Sequence, residues 1–181
     1  RFDMEIEEDL IEEIARLYGY DNIPSVAPRG PLKMLRQPEA RRPAYRVRQM
    51  LADRGYQEVV NFAFVEEAWE ADFSGNEDLI HLANPIASQM AVMRSTLFGG
   101  LISNLVGNLK RKQSRVRLFE VGRIFRRDQT GTPVEGFVQP WKLAGLAYGG
   151  ALPERWGSDA RKVDFYDIKG DLEPLLAPAQ S

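Results

Sequence analysis

The chain has 181 residues, of which 44% are hydrophobic and 28% are charged, and its formal net charge is −2. This composition is ordinary for a folded globular protein and argues against disorder, and the length suits one good-sized core or one domain with part of another. The absence of cysteine and the presence of only one histidine exclude disulfides, thiolate nucleophiles, Cys/His zinc sites and two-histidine metal sites, so a bound metal would need oxygen ligands.

The first element in chain order is an acidic amphipathic helix. Apolar residues recur at helical spacing between Glu8 and Tyr18, and Gly19 provides a stop. The next prolines, between residues 24 and 38, are too closely spaced for a regular element, which predicts an extended linker.

The acids of this helix have two interpretations. Seven of the first thirteen residues are carboxylates, and the helical spacing brings four of them within reach of one another: Asp3, Asp9, Glu12 and Glu13. Acids favour a helix N-terminus, which explains the first turn. Those in the second turn repel their neighbours, and a hard divalent cation such as Mg²⁺, which prefers carboxylate oxygens, would offset that repulsion.

A second helix is predicted over residues 39–54, with the apolar stripe Ala40, Ala44, Val47 and Leu51 and a stop at Gly55. The aromatic and β-branched run YQEVVNFAFV at 56–65 predicts a strand, and HLANP at 81–85 a short strand or turn. We expect the stripe of the helix to form a contact surface for a partner protein.

The second half of the chain predicts one core helix, two strands and a last helix. After Arg94, leucines four residues apart predict a packed helix, and Gly99, Gly100 and Gly107 would let a neighbour approach closely. Strands are predicted at 116–128 and 141–150, and the last helix begins in DFYDIKGDLEPLL. The longest apolar stretch, at 143–152, is too short and glycine-rich to cross a bilayer, so we expect a soluble intracellular protein.

This order of elements predicts an α+β fold, an antiparallel sheet flanked by helices, because a parallel sheet would need a helix between every pair of strands. We divide the chain into three parts. Residues 1–24 contain the acidic helix, residues 25–38 form a proline-rich linker, and residues 39–181 form the main module.

Four segments, in order, resemble the bacterial phenylalanyl-tRNA synthetase beta subunit. They are RFDMEIEEDLIEEIARLYGYDNIP, NPIASQMAVMRSTLFGGLISNL, RVRLFEVGRIFRRD and DFYDIKGDLEPLL. The resemblance covers nearly the whole chain and identifies it as a fragment of that larger subunit. It implies that residues 1–24 are the C-terminal end of a small helical domain. It also implies that the main module, truncated at its C-terminal end, is similar to a class II aminoacyl-tRNA synthetase core.

The resemblance implies a non-catalytic role. In this family the alpha subunit handles phenylalanine and ATP, and the beta module is similar in shape but inactive. The implied partners are the alpha subunit and tRNA(Phe), in a cytoplasmic heterotetramer of two alpha and two beta subunits. The resemblance further implies a Mg²⁺ site, shared with the alpha subunit, on acids matching Asp3, Asp9, Glu12 and Glu13.

Two alternative functions depend on basic residues. Arg126 matches the arginine that grips the ATP α-phosphate in active class II enzymes, although it could instead pair with Asp128 or Glu120. Residues 110–127 carry eight bases and one acid, which suits RNA phosphates or simply a solvated helix end. The alternatives are therefore an ATP-binding ligase core and a nucleic-acid-binding module; the lone His81 supports no catalytic role.

Overall fold

The computed structural model describes residues 4–31, 42–132, 134–157 and 161–177. The chain divides into two compact units, Arg1–Pro38 and Glu39–Ser181. Across the described ranges, every helix is too short or too polar to span a bilayer.

The first unit is built around helix α1 (Glu7–Tyr18), close to where its periodicity predicted it. Gly19 ends the helix at a φ of 94°, and its N–H donates to the carbonyl of Ala15 over 2.9 Å. A single 3-10 turn, Tyr20–Asn22, follows. No described residue of α1 is buried, so the helix contributes little to a core of its own.

The second unit contains small sheets and the remaining described helices. The helices are α2 (Ala44–Ala52), α3 (Glu67–Ser74), α4 (Phe98–Lys110) and α5 (Phe165–Leu176). The strands are β1 (Gln57–Glu58), β2 (Phe64–Val65), β3 (Val92–Met93), β4 (Val116–Arg123), β5 (Arg126–Arg127), β6 (Phe137–Val138) and β7 (Trp141–Tyr148). The predicted α+β class is confirmed.

The main sheet has the strand order β1-β4-β7. Strands β4 and β7 are antiparallel over eight residues, from Val116 opposite Tyr148 to Arg123 opposite Trp141. The sheet is mixed rather than purely antiparallel, because β1 joins β4 in parallel. Two further antiparallel pairs, β2 with β3 and β5 with β6, lie outside this sheet.

Helices cover both faces of the main sheet. On one face Phe119 packs with Leu51 and Tyr56, against α2 and α5. On the other face Leu118 packs with Val116 and Leu101, which brings α4 onto the sheet. Successive side chains of a strand point to opposite faces, so a strand covered on both sides is buried almost throughout, as β4 is.

The predicted role of the α2 stripe as a partner surface is wrong. Leu51 is only 4% exposed and lies in the core cluster, and Val47 packs against the same cluster. Val47 and Leu51 therefore hold the helix to its own sheet, whereas Ala44 is exposed and Ala40 lies outside the described residues.

The predicted strand at 56–65 divides into β1 and β2, and the one at 116–128 is interrupted after Arg123. Helix α3 was not predicted at all. The expectation that glycines of α4 allow close approach is confirmed at two of the three: a Cβ atom on Gly99 would lie 2.6 Å from the ring of Trp69, and one on Gly100 would lie 2.8 Å from the side-chain amide of Asn61. At Gly107 a Cβ atom would meet only the end of Arg111, at 3.8 Å.

Candidate functional site

Two deeply buried charges of the second unit form an ion pair beside the main sheet. Glu120, on β4, is 2% exposed, and Arg94, which follows β3, is 6% exposed. Arg94 Nη1 donates to Glu120 Oε1 over 2.6 Å, and Arg94 Nε donates to the carbonyl of Arg123 over 3.0 Å. The pair therefore joins the segment that leads into α4 to the central strand.

Two asparagines complete this network. Asn61 Nδ2 donates to the second oxygen of Glu120 over 2.8 Å, and Asn104 Nδ2, on α4, donates to Asn61 Oδ1 over 2.6 Å. The network thus supplies partners for both carboxylate oxygens, as burial of a charge requires. Because these side chains satisfy one another, the network holds the sheet against α4 and offers no free charge to a ligand.

A second polar cluster ties α5 to the opposite part of the sheet. Tyr56 donates its hydroxyl proton to Asp171 Oδ2 over 2.9 Å, and the guanidinium of Arg117 lies 5.5 Å from the Tyr56 ring centroid. Arg117 Nη2 also donates to the carbonyl of Ala151 over 2.8 Å. Burial, reinforced by the hydrogen bond to Asp171, raises the pKa of Tyr56 to about 12.

Arg126, the candidate ATP ligand, lies apart from both clusters. It is exposed on β5, a two-residue strand that pairs with β6 beyond the end of the main sheet. Neither predicted partner pairs with it, since Glu120 binds Arg94 and Asp128 accepts from Thr130. Its neighbour Arg127 is the one that forms an ion pair, with Asp78 at 3.1 Å.

The four candidate metal ligands are described only in part, because Asp3 lies outside the described residues. Asp9 Oδ2 accepts from the backbone N–H groups of Glu5 and Ile6 over 2.8 and 3.1 Å, and these bonds lower the pKa of Asp9. Glu13 pairs with Arg16. Within the described residues no group of three or more His, Cys, Asp or Glu side chains is arranged to hold a metal, so the Mg²⁺ site stays a prediction.

The basic segment 110–127 does not form one surface. Arg117 is buried and lies 3.8 Å from Asp171, Arg123 lies over the ring of Trp141, and Arg127 pairs with Asp78. Arg117 and Arg123 lie near opposite ends of strand β4, and Arg127 lies on the separate strand β5. The high charge of the segment therefore overstates the charge available to a ligand.

Sequence reasoning missed the Arg94–Glu120 pair. The two residues are 26 positions apart, and nothing in the sequence pairs them. One signal was present: Glu120 stands within the apolar run LFEV, and a carboxylate in such a run is almost never buried without a partner.

Comparisons with known proteins agree with the resemblance seen in the sequence. A protein-family model described as the phenylalanyl tRNA synthetase beta chain CLM domain matches residues 23–181. The phenylalanine–tRNA ligase beta subunit of Dechloromonas aromatica is 82% identical over 99% of this chain, and that of Aromatoleum aromaticum is 64% identical over 98%. A pyrrolysyl-tRNA synthetase structure from Desulfitobacterium hafniense matches 61% of this chain and 36% of its own chain, at 17% identity and a TM-score of 0.42.

The match covers only part of these relatives. The chain spans 23% of the length of the Dechloromonas protein and 22% of the Aromatoleum protein. The family model, in contrast, covers most of this chain. The chain therefore belongs to the phenylalanyl-tRNA synthetase beta chain CLM domain family.

Proposed function

We propose that the chain is a non-catalytic, structural part of a phenylalanine–tRNA ligase beta subunit, which supports the alpha subunit in the ATP-dependent charging of tRNA(Phe). The enzyme would act in the cytoplasm as a heterotetramer of two alpha and two beta subunits. The alpha subunit would bind ATP. The names and high identities of the relatives support the enzyme class, and the geometry of the main sheet supports the non-catalytic role.

The observation that supports the non-catalytic role is the burial of the Arg94–Glu120 pair, whose charges bind each other. Glu120 of the central strand and Arg94, which lies on the segment leading into α4, are hydrogen-bonded to each other at 2–6% exposure. Transition-state stabilisation requires preorganised charges aimed at the reacting group. On the β5–β6 hairpin Arg127 pairs with Asp78, which leaves Arg126, and one arginine cannot both position and neutralise a triphosphate.

The domain organisation is part of the proposal. Residues 1–24 would end a small helical domain, residues 25–38 would be a linker, and residues 39–181 would form a truncated module similar to a class II synthetase core. The division of the chain into the units Arg1–Pro38 and Glu39–Ser181 supports a boundary near residue 38.

The proposal also includes a Mg²⁺ ion held jointly by Asp3, Asp9, Glu12, Glu13 and the alpha subunit. Its donors are all carboxylate oxygens, the ligands Mg²⁺ prefers. Asp9 and Glu13 already have partners within the chain, and Glu12 makes no ion pair with another described residue. This arrangement fits a site that a partner completes better than one formed by the chain alone.

The test uses Arg126→Ala in the full-length beta subunit assembled with its alpha subunit. Phenylalanine-dependent pyrophosphate exchange should stay within about twofold of the parent rate, because the alpha subunit carries the chemistry. Arg127→Ala is the matched control, since it removes a neighbouring cation of the same hairpin. A loss of more than about tenfold for Arg126→Ala alone would favour the ATP-binding alternative; one charge-assisted contact to phosphate is worth at least that much.

A further inference from the structure

A cavity of about 810 Å³ lies at the end of the main sheet where β4 begins and β7 ends, beside the C-terminus of α4. The residues of its lining that matter here are Lys112, Gln113, Tyr148, Gly149, Arg161 and Lys162. We call this cavity the Lys112 cleft. Strand β4 has eight residues and rises about 3.3 Å per residue. The cleft is therefore separated from Arg126 by the length of the strand.

The Lys112 cleft is positively charged. Its lining includes three cations and, among the described residues, no acid. Arg161 is neutralised, because its guanidinium binds Asp167 through two hydrogen bonds of 2.7 and 2.6 Å. Lys112 and Lys162 form no ion pair with another described residue, so their charges face the cleft uncompensated.

Lys112 is held in an unusual backbone conformation. Its φ of 62° is the only positive φ of a non-glycine residue in the described ranges. Two hydrogen bonds fix this turn, from Lys112 N–H to the carbonyl of Leu109 over 2.8 Å and from Gln113 N–H to that of Asn108 over 3.1 Å. Glycine or asparagine would adopt this conformation with less strain. A lysine here suggests that its charge at the cleft is used.

A second cavity of about 330 Å³ adjoins the cleft and shares Gln113 with it. Arg115 and Arg117 line it together with Gln57 and Asn108, and its described lining likewise contains no acid. The Nε–H of Arg115 is buried and donates to no atom in the described part of the chain. A buried donor without a partner is costly, and an anion or water in this cavity would satisfy it.

Tyr148 gives the cleft an aromatic surface. Tyr148 is 44% exposed at the end of β7, and the lining that it shares includes glycines and cations. Exposed aromatic rings beside cations are the combination that binds single-stranded nucleic acid, because bases stack on the ring while phosphates meet the cations. An acidic peptide would use the cations but would leave the ring without a role.

We propose that the Lys112 cleft binds a single-stranded segment of RNA, with a base on Tyr148 and backbone phosphates at Lys112 and Lys162. The adjoining cavity, with its unpartnered Arg115 Nε–H, extends the surface along which the RNA phosphates would lie. The cleft volume exceeds the lower limit of about 300 Å³ for sites that enclose small ligands, so a nucleotide fits within it. This inference rests on the proposed function, which supplies tRNA(Phe) as the RNA.

The test measures binding of a tRNA(Phe) transcript to the assembled ligase over a salt series. Lys112→Asn removes the charge but tolerates the left-handed backbone, and it is combined with Lys162→Gln. Loss of two phosphate contacts should weaken binding about 5- to 20-fold at low salt and reduce the slope of log K against log[salt] by about 1 to 2. Tyr148→Leu should weaken binding about tenfold with an unchanged slope, since it removes stacking and no charge.

Lys142→Gln is the matched control, because Lys142 is an exposed lysine near the opposite end of β7. The double variant should raise the KM for tRNA without changing pyrophosphate exchange. Binding equal to that of the control would overturn the inference, and so would loss of subunit assembly, which would make the cleft a protein interface. If the parent assembly itself fails to charge tRNA(Phe), the proposed function fails instead, so the two failures are distinguishable.

Discussion

At the scale of single residues, the second unit depends on a few buried charges. Arg94 and Glu120 are 7% and 2% exposed in their side chains, and each also bonds to groups other than its ion-pair partner. Removing one member of a buried ion pair is costly, because the remaining charge is left without compensation in a poorly solvated site. An exposed pair such as Arg48–Glu58, at 38% and 32% exposure, is screened by water and contributes little.

Arg94→Met should therefore destabilise the chain by about 3–5 kcal/mol, whereas Arg48→Met should cost less than about 1 kcal/mol. Urea unfolding followed by circular dichroism measures both. The two substitutions remove the same charge and leave an unbranched apolar side chain, so they differ chiefly in burial. Equal losses of stability would mean that the Arg94–Glu120 pair does not hold the sheet to α4.

The raised pKa of Tyr56 predicts that the folded chain loses stability at alkaline pH. Its pKa is raised from 10.0 to about 12 in the folded chain, chiefly by burial. The unfolded state releases the phenol proton first as pH rises, so the stability due to the neutral phenol is complete below pH 10 and disappears as pH approaches 12. Relative to Tyr56→Phe, the parent should lose about 1–2 kcal/mol across that interval. Urea unfolding at several pH values measures the difference, and parallel pH profiles would contradict the prediction.

At the scale of secondary-structure elements, the regular spacing of apolar residues correctly predicted several helices and strands. Helices α1 and α4 and strand β7 follow from regular apolar spacing and were predicted close to their observed bounds. The run at 56–65 was predicted as one strand because its residues favour strands. The run divides into two strands because the side chain of Asn61 forms hydrogen bonds with Glu120 and Asn104. Local strand propensity does not predict such tertiary contacts.

Helix α3 and the Arg94–Glu120 pair were not predicted from the sequence, for a related reason. The apolar residues of α3 form no regular stripe, and its buried residue is a carboxylate, Glu70, which accepts from the backbone N–H of Ser95 over 3.0 Å. Such contacts join segments about 25 residues apart. The sequence shows that a buried acid needs a partner, but it does not show which one.

The close packing of α3 on α4 yields a prediction for glycine. A Cβ atom on Gly99 would lie 2.6 Å from the Trp69 ring, so Gly99→Ala should cost about 1–3 kcal/mol through overpacking. In the same helix, Gly107→Ala meets only the end of Arg111, at 3.8 Å, and should stabilise the chain by about 0.5–1 kcal/mol through helix propensity. Thermal unfolding compares the two. A stabilising Gly99→Ala would show that Trp69 moves aside without cost.

At the scale of the whole molecule, the two units differ in how much of their surface they bury. The second unit encloses core clusters on both faces of a sheet, whereas α1 buries no described residue, and Leu17 on it is 86% exposed. A helix of 12 residues is marginal in water without tertiary contacts. Helix α1 therefore depends on contacts beyond those of the described residues, and its acids must be tested in the assembled enzyme.

If Asp3, Asp9, Glu12 and Glu13 share Mg²⁺ with the alpha subunit, Mg²⁺ should stabilise the assembled enzyme by mass action, by about 2.7 kcal/mol at roughly 100 times Kd. Glu12→Gln combined with Glu13→Gln preserves size and helix propensity but removes the charge that the ion needs, so the Mg²⁺-dependent rise in Tm should disappear. Glu7→Gln combined with Glu8→Gln is the control, since it makes the same charge change on the same helix outside the proposed site and should keep the rise. Differential scanning calorimetry with and without Mg²⁺ measures both, and an undiminished rise in the first double variant would leave these acids with a role in helix capping and solubility alone.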